Sequence, residues 1–142
     1  MTRLGFRLRL PAVPEAVPVA RRAIGRLCAR AGITGELAED VRLAVSEACT
    51  NCVRHAYAGG SERATFALDA CVRDGTLVVV VRDSGAGIVA GRPGDLGLGM
   101  QLIRQVAERT DVVSAPERGT RVAMRFATRQ ESVVSRSAGG GG

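Results

Sequence analysis

The stretch VSEACTNCVRHAY, residues 45–57, carries two overlapping sets of chemically able side chains. One is the Cys-x-x-Cys pair, Cys49 and Cys52, together with His55, the only histidine in the chain; the other is Glu47, Asn51 and His55, four residues apart at each step. The stretch sits in a helical period running from about Glu36 to Tyr57, where Leu37, Val41, Ala44, Val45, Ala48, Cys52 and Val53 form a broad apolar face. Four residues turn a helix by about 400°, so Glu47, Asn51 and His55 form a slowly drifting stripe whose side chains reach one small volume. Glu47 borders the apolar face, where a carboxylate is costly unless a metal or a proton to abstract partners it. A zinc knuckle places its Cys-x-x-Cys pair in a turn where both thiolates converge, and a helical pair is a poor match even with Cys28 and Cys71 as further ligands. The cysteines are therefore expected to fill core as small apolar residues.

Upstream, FRLRL at residues 6–10 alternates apolar and basic side chains as a half-buried strand does. Val17, Ala20, Ile24, Leu27 and Cys28 then recur at helical spacing, predicting an amphipathic helix from about Pro14 to Ala31, with Pro18 in its first turn and Gly32 at its end. Downstream, AGGSE stops the second helix, and RATFALDACV and TLVVVVRD, divided by Asp74-Gly75, read as an antiparallel hairpin. The second of these strands is apolar on both faces and is expected at the centre of its sheet. Residues 84–99 hold glycines at 85, 87, 91, 94, 97 and 99 and predict a mobile loop. MQLIRQVAERT supplies a third helix with Leu102, Ile103 and Val106 inward, and DVVSA and GTRVAMRFA are two further strands around a turn at Glu117 to Gly119. One domain over 1–127 is expected, followed by a polar, glycine-rich tail over 128–142 that cannot pack.

The composition narrows the function. With 142 residues and 46% hydrophobic content the chain can bury a core, but only 3% of residues are aromatic, so stacking platforms for bases are nearly absent. The net charge is +6, and all 20 basic residues are arginine. A lysine-dependent P-loop is thereby excluded. The arginines are scattered, with no arginine-lined recognition helix, so direct nucleic-acid binding is not expected and an acidic partner is favoured. There is neither an apolar run of about 20 residues nor a signal-peptide core, so a cytoplasmic protein without a membrane span, with cysteines as thiols, is expected.

Three further features carry chemistry. Asp83 ends the run LVVVV-Arg82, at the end of a central strand, and the following Ser-Gly-Ala-Gly lets the backbone turn beneath a flat ligand. GLGM, residues 97–100, opens the third helix with free N–H groups, a natural phosphate cradle. Gly119-Thr120 begins the last strand. Each is weak alone, but their fixed order after the Glu47–Asn51 stripe is specific.

That order resembles the GHKL ATPase superfamily and, within it, the anti-sigma factor serine/threonine kinases, over residues 6–127. The N-box matches Glu47, Asn51, Arg54 and His55; the adenine box DSGAGI matches Asp83, Gly85, Gly87 and Ile88. The phosphate-lid box matches Gly97, Leu98, Gly99 and Met100, and the last box Gly119-Thr120. The resemblance implies a Bergerat-type ATP-binding fold, an α+β two-layer sandwich whose mixed, mainly antiparallel sheet carries helices on one face. It implies ATP and Mg²⁺ as cofactors, with Asn51 as the magnesium ligand, Glu47 as general base, and Asp83 accepting the adenine amino hydrogen with Thr120 assisting through water. Arg54, His55 and backbone N–H groups would complete neutralisation of the triphosphate. It further implies transfer of the γ-phosphoryl group to a serine of a small anti-anti-sigma (STAS-type) protein, binding and silencing of a sigma factor, and a homodimer.

Histidine kinases share the ATP boxes but need a dimerising domain bearing the phosphorylated histidine, and only 46 residues precede Glu47, so that activity is not expected. The lid from Val89 to Gly97 is short, with Arg92 and Asp95 as its only charges, and leaves open an alternative: a nucleotide-dependent binding module, an anti-sigma factor without turnover.

Overall fold

The computed structural model describes residues 4–58, 63–83, 97–115 and 118–128. Its elements run β1 (Leu4–Pro11), α1 (Ala16–Arg30), α2 (Gly35–Ala58), β2 (Thr65–Arg73), β3 (Thr76–Asp83), α3 (Gly97–Val106), β4 (Arg109–Ala115) and β5 (Gly119–Ala127). Of the loop expected over 84–99, residues 97–99 belong to α3 and 84–96 lie outside the described residues, as do the stop at 59–62 and the tail beyond 128.

The strands form one five-stranded sheet in the order β1-β2-β3-β5-β4. β3 is central, as its apolar run predicts. All four pairings are antiparallel, so the described sheet has no parallel member where a mixed sheet was expected. β2–β3 and β4–β5 are hairpins, whereas β5 returns to pair with β3 after the chain has passed through α3 and β4. The β2–β3 turn uses Asp74 (φ 51°) and Gly75 (φ 78°), two consecutive left-handed residues that match the right-handed twist of the flanking strands.

The strands alternate buried and open positions, with Phe66, Leu68, Ala70, Leu77, Val79, Val81, Val122, Met124 and Phe126 on the covered face. This face and all three helices share one core. The opposite face is only partly covered: Val78 and Val80 of β3 line a shallow hollow of about 380 Å³ with Gly5, Arg7, Asp69 and Cys71. The double-sided apolar character of β3 thus serves a central strand covered by helices on one side only.

α1 places Pro18 in its first turn, as predicted, and ends in a Schellman turn. Gly32 takes φ 74°, its N–H donates to Ala29, the Ile33 N–H donates to Cys28 (2.8 Å), and Ile33 is buried. α2 packs against α1, α3 and β3, which makes it the axis of the helical layer. Among the described residues no helix is long and apolar enough to cross a membrane.

Gly119 begins β5 at φ +91°, and a Cβ built there would overlap the backbone carbonyl oxygen of Asp83. The obstacle is backbone and cannot swing aside. Gly119→Ala is expected to destabilise the fold by about 2 kcal/mol or more in urea denaturation. A change below about 0.5 kcal/mol would show that β5 need not approach β3 so closely.

Candidate functional site

Four segments meet at one end of the sheet: the Glu47–His55 stripe of α2, the end of β3, the first turn of α3 and the start of β5. The helical stripe forms as its spacing predicts. Asn51 is buried and Glu47 half-buried, on a helix whose remaining inward residues, including Val45, Ala48, Cys49 and Cys52, are apolar core.

α3 begins against this stripe. A Cβ added to Gly99 would lie 3.0 Å from Glu47 Oε2 and 3.5 and 3.6 Å from Asn51 Oδ1 and Nδ2. Met100 beside it is buried and anchors the turn, whereas Leu98 is 78% exposed. The glycine therefore gives the carboxylate and amide room directly beside the N–H groups of a helix start.

Asp83, the last residue of β3, is buried. Its Oδ1 accepts the backbone N–H of Thr120 (3.2 Å), and its Oδ2 lies 3.1 Å from His55 Nδ1. The side chains of His55 and Asp83 are only 9% and 6% exposed, so water competes little for their contact. Thr120 Oγ1 in turn pairs with Ser114 Oγ at 3.0 Å across the β4–β5 ladder. Ser114 carries no motif in the sequence; only the register, Ser114 opposite Thr120, would have found it.

Two buried nitrogens, Asn51 Nδ2 and His55 Nε2, have no hydrogen-bond partner among the described residues. Such atoms cost about 1–3 kcal/mol each and are the kind of expense found where a ligand completes the set. The structure thus gathers Glu47, Asn51, His55, Asp83, Gly99, Met100 and Thr120. Arg54 is exposed, and Gly85, Gly87 and Ile88 lie outside the described residues. The approach of His55 to Asp83, across 28 positions of sequence, is a contact no spacing argument announced.

The thiols of the opening stretch are core. Cys49 is fully buried, and burial pushes its thiol from the ordinary 9.0 up to about 12. Cys52 is pushed up as well, by burial first and then by the negative charges of Asp83 and Cys49. Cys28 moves the same way through burial, opposed by Arg42. No group of three or more His, Cys, Asp or Glu side chains suited to a metal occurs among the described residues.

Residues 10–126 match the family described as histidine kinase-like ATPase domain. The chain belongs to the histidine kinase-like ATPase family. Within it, the chain is 39% identical over 79 residues to the serine-protein kinase RsbW of Bacillus pumilus, a stretch that is 55% of this chain and 49% of that protein. It is 40% identical over 78 residues to the RsbW of Listeria monocytogenes, again 55% of this chain and 49% of the relative. The chain thus spans about half the length of the curated relatives it matches.

Solved structures share the histidine kinase-like ATPase fold. The RsbU and RsbW domains of Rv1364c from Mycobacterium tuberculosis superpose with a TM-score of 0.70 at 19% identity, covering 87% of this chain and 32% of that one. The SiaB–SiaC complex from Pseudomonas aeruginosa gives a TM-score of 0.64 at 13% identity, with 85% and 88% covered.

Two outcomes follow from the geometry. Folded Cys49 holds its proton to about pH 12, whereas an unfolded thiol loses it near 9.0, so the folded state binds more protons in that window and stability falls as pH rises through it. Cys49→Ala is expected to flatten this alkaline decline in thermal melts; an unchanged slope would contradict the assignment. Gly99→Ala meets only side-chain ends, so its melting temperature is expected to stay within a few degrees of wild type while nucleotide affinity falls about ten-fold or more. Unchanged affinity would show that Glu47 and Asn51 do not need that room.

Proposed function

We propose that this chain is an ATP-dependent protein serine kinase of the GHKL type that phosphorylates a small anti-anti-sigma protein and also binds and silences a sigma factor. The observation that carries the reading is the Glu47–Asn51 pair of α2 facing Gly99 at the start of α3, with the buried Asp83 carboxylate tied to α2 through His55. One cluster can thereby serve both ends of a nucleotide. The likeness to serine-protein kinases at 39–40% identity supports the phosphoryl acceptor class.

Asn51 suits a magnesium ligand: its amide oxygen is a hard donor, and its buried Nδ2, without a partner among the described residues, and the space kept by Gly99 fit a polar group bound beside it. Held there, Mg²⁺ would supply charge neutralisation for the phosphates of ATP. The protein supplies the rest. Asp83 accepts the adenine amino hydrogen, with Thr120 assisting through water; a desolvated carboxylate that needs an N–H donor rejects guanine, whose corresponding group is a carbonyl. In this reading the N–H groups at Gly97 to Met100, and the exposed guanidinium of Arg54, would meet the phosphates. Glu47 takes the proton of the partner's serine hydroxyl as its oxygen attacks the γ-phosphorus. The bond from that phosphorus to the bridging oxygen breaks, its electrons leave with ADP, and phosphoserine remains. In this reading residues 1–127 are the kinase domain, and the protein works in the cytoplasm as a homodimer.

The test is incubation with γ-labelled ATP, Mg²⁺ and candidate anti-anti-sigma proteins. Wild type is expected to yield phosphoserine, and Glu47→Ala to lower the transfer rate at least about 100-fold while ATP and sigma-factor affinities stay within a few fold. Transfer that survives in Glu47→Ala would remove Glu47 as the base. No label on any candidate, with nucleotide still bound, would favour the binding module without turnover.

A further inference from the structure

A carboxylate that selects a base must hold its plane, because a rotation about its last torsion moves the acceptor lone pairs away from the donor they are meant to meet. Asp83 is held at both oxygens by donors from separate elements, the Thr120 N–H of β5 on Oδ1 and the His55 ring of α2 on Oδ2. A carboxylate oxygen only accepts, so the hydrogen between His55 and Asp83 belongs to Nδ1. Nε2, on the far side of the ring, is buried without a partner among the described residues.

We propose that His55 is a positioning residue for base selection: through Nδ1–H it fixes the Asp83 carboxylate in the orientation that reads a purine 6-amino group. This rests on the reading of Asp83 as the adenine acceptor. It deepens that reading by assigning selectivity to a residue that need not touch the base. The burial of both side chains is what makes the contact effective, since an exposed pair would exchange its hydrogen bond with water.

The experiment compares dissociation constants for ATP and for purine riboside triphosphate, which has hydrogen in place of the 6-amino group. Their ratio isolates the hydrogen bond to Asp83 from contacts to ribose and phosphate. His55→Phe, which keeps a ring but no donor, is expected to shrink the ratio about ten-fold. His55→Asn, whose amide nitrogen falls near the place of Nδ1, is expected to keep it within about three-fold of wild type. Circular dichroism checks that each variant is folded, and His55→Leu replaces His55→Phe if the latter is not. Asp83→Asn serves as the reference for the base contact itself.

A ratio that collapses in Asp83→Asn and His55→Phe but survives in His55→Asn supports the proposal. If Asp83→Asn collapses the ratio while the donorless His55 variant weakens both nucleotides equally, His55 acts elsewhere and the proposal falls alone. Equal shrinkage in the Phe and Asn variants would also overturn it, since the donor would then not matter. An unchanged ratio in Asp83→Asn would overturn the adenine reading and this proposal together.

Discussion

The buried carboxylate of Asp83 is the constraint on which the rest of the site depends. A charge at the end of a central strand, away from water, is tolerated only with donors in place, and these come from α2 and β5. To supply them, His55 must lie over the strand end, which fixes where α2 crosses the sheet, and Thr120 must enter β5 at one register. Gly119 is the consequence at the backbone level: only a residue without Cβ, at φ +91°, can pass the Asp83 carbonyl and deliver the next N–H to its side chain.

Once α2 is placed by that contact, its periodicity places the other groups. Asn51 and Glu47 precede His55 by one and two turns, so they fall beside the start of α3. The helix can approach its neighbours because its inward residues are small, with Ala44, Ala48, Cys49 and Cys52 all buried. The Cys-x-x-Cys pair is thus a packing solution, and its raised thiol values follow from that burial. The stripe itself is left with two buried nitrogens that have no partner among the described residues, a local cost that the large aliphatic core beneath it can carry.

Much of this was legible in the sequence because it is local. Period-two alternation marks β1, the continuous apolar run marks β3 as central, Asp74-Gly75 names the β2–β3 turn, Gly32 names the end of α1, and the four-residue spacing puts Glu47, Asn51 and His55 on one side. The antiparallel pairing of β5 with β3 was not legible, because it follows a detour through α3 and β4. Nor was the hydrogen bond from His55 to Asp83, the approach of Gly99 to Glu47, or the Ser114–Thr120 pair, all of which depend on how elements distant in sequence are set against each other. The same residues could therefore be assigned to a site from the order of motifs while their mutual duties could not.

If the stripe on α2 and the end of β3 together hold magnesium-bound adenine nucleotide, as proposed, calorimetric titration of ATP with and without Mg²⁺ will separate wild type from Asn51→Ala. Wild type is expected to bind ATP at least about ten-fold more tightly with Mg²⁺, and Asn51→Ala to lose this dependence while remaining folded. The same magnesium dependence in both proteins, or no ATP binding by wild type, would contradict the proposal.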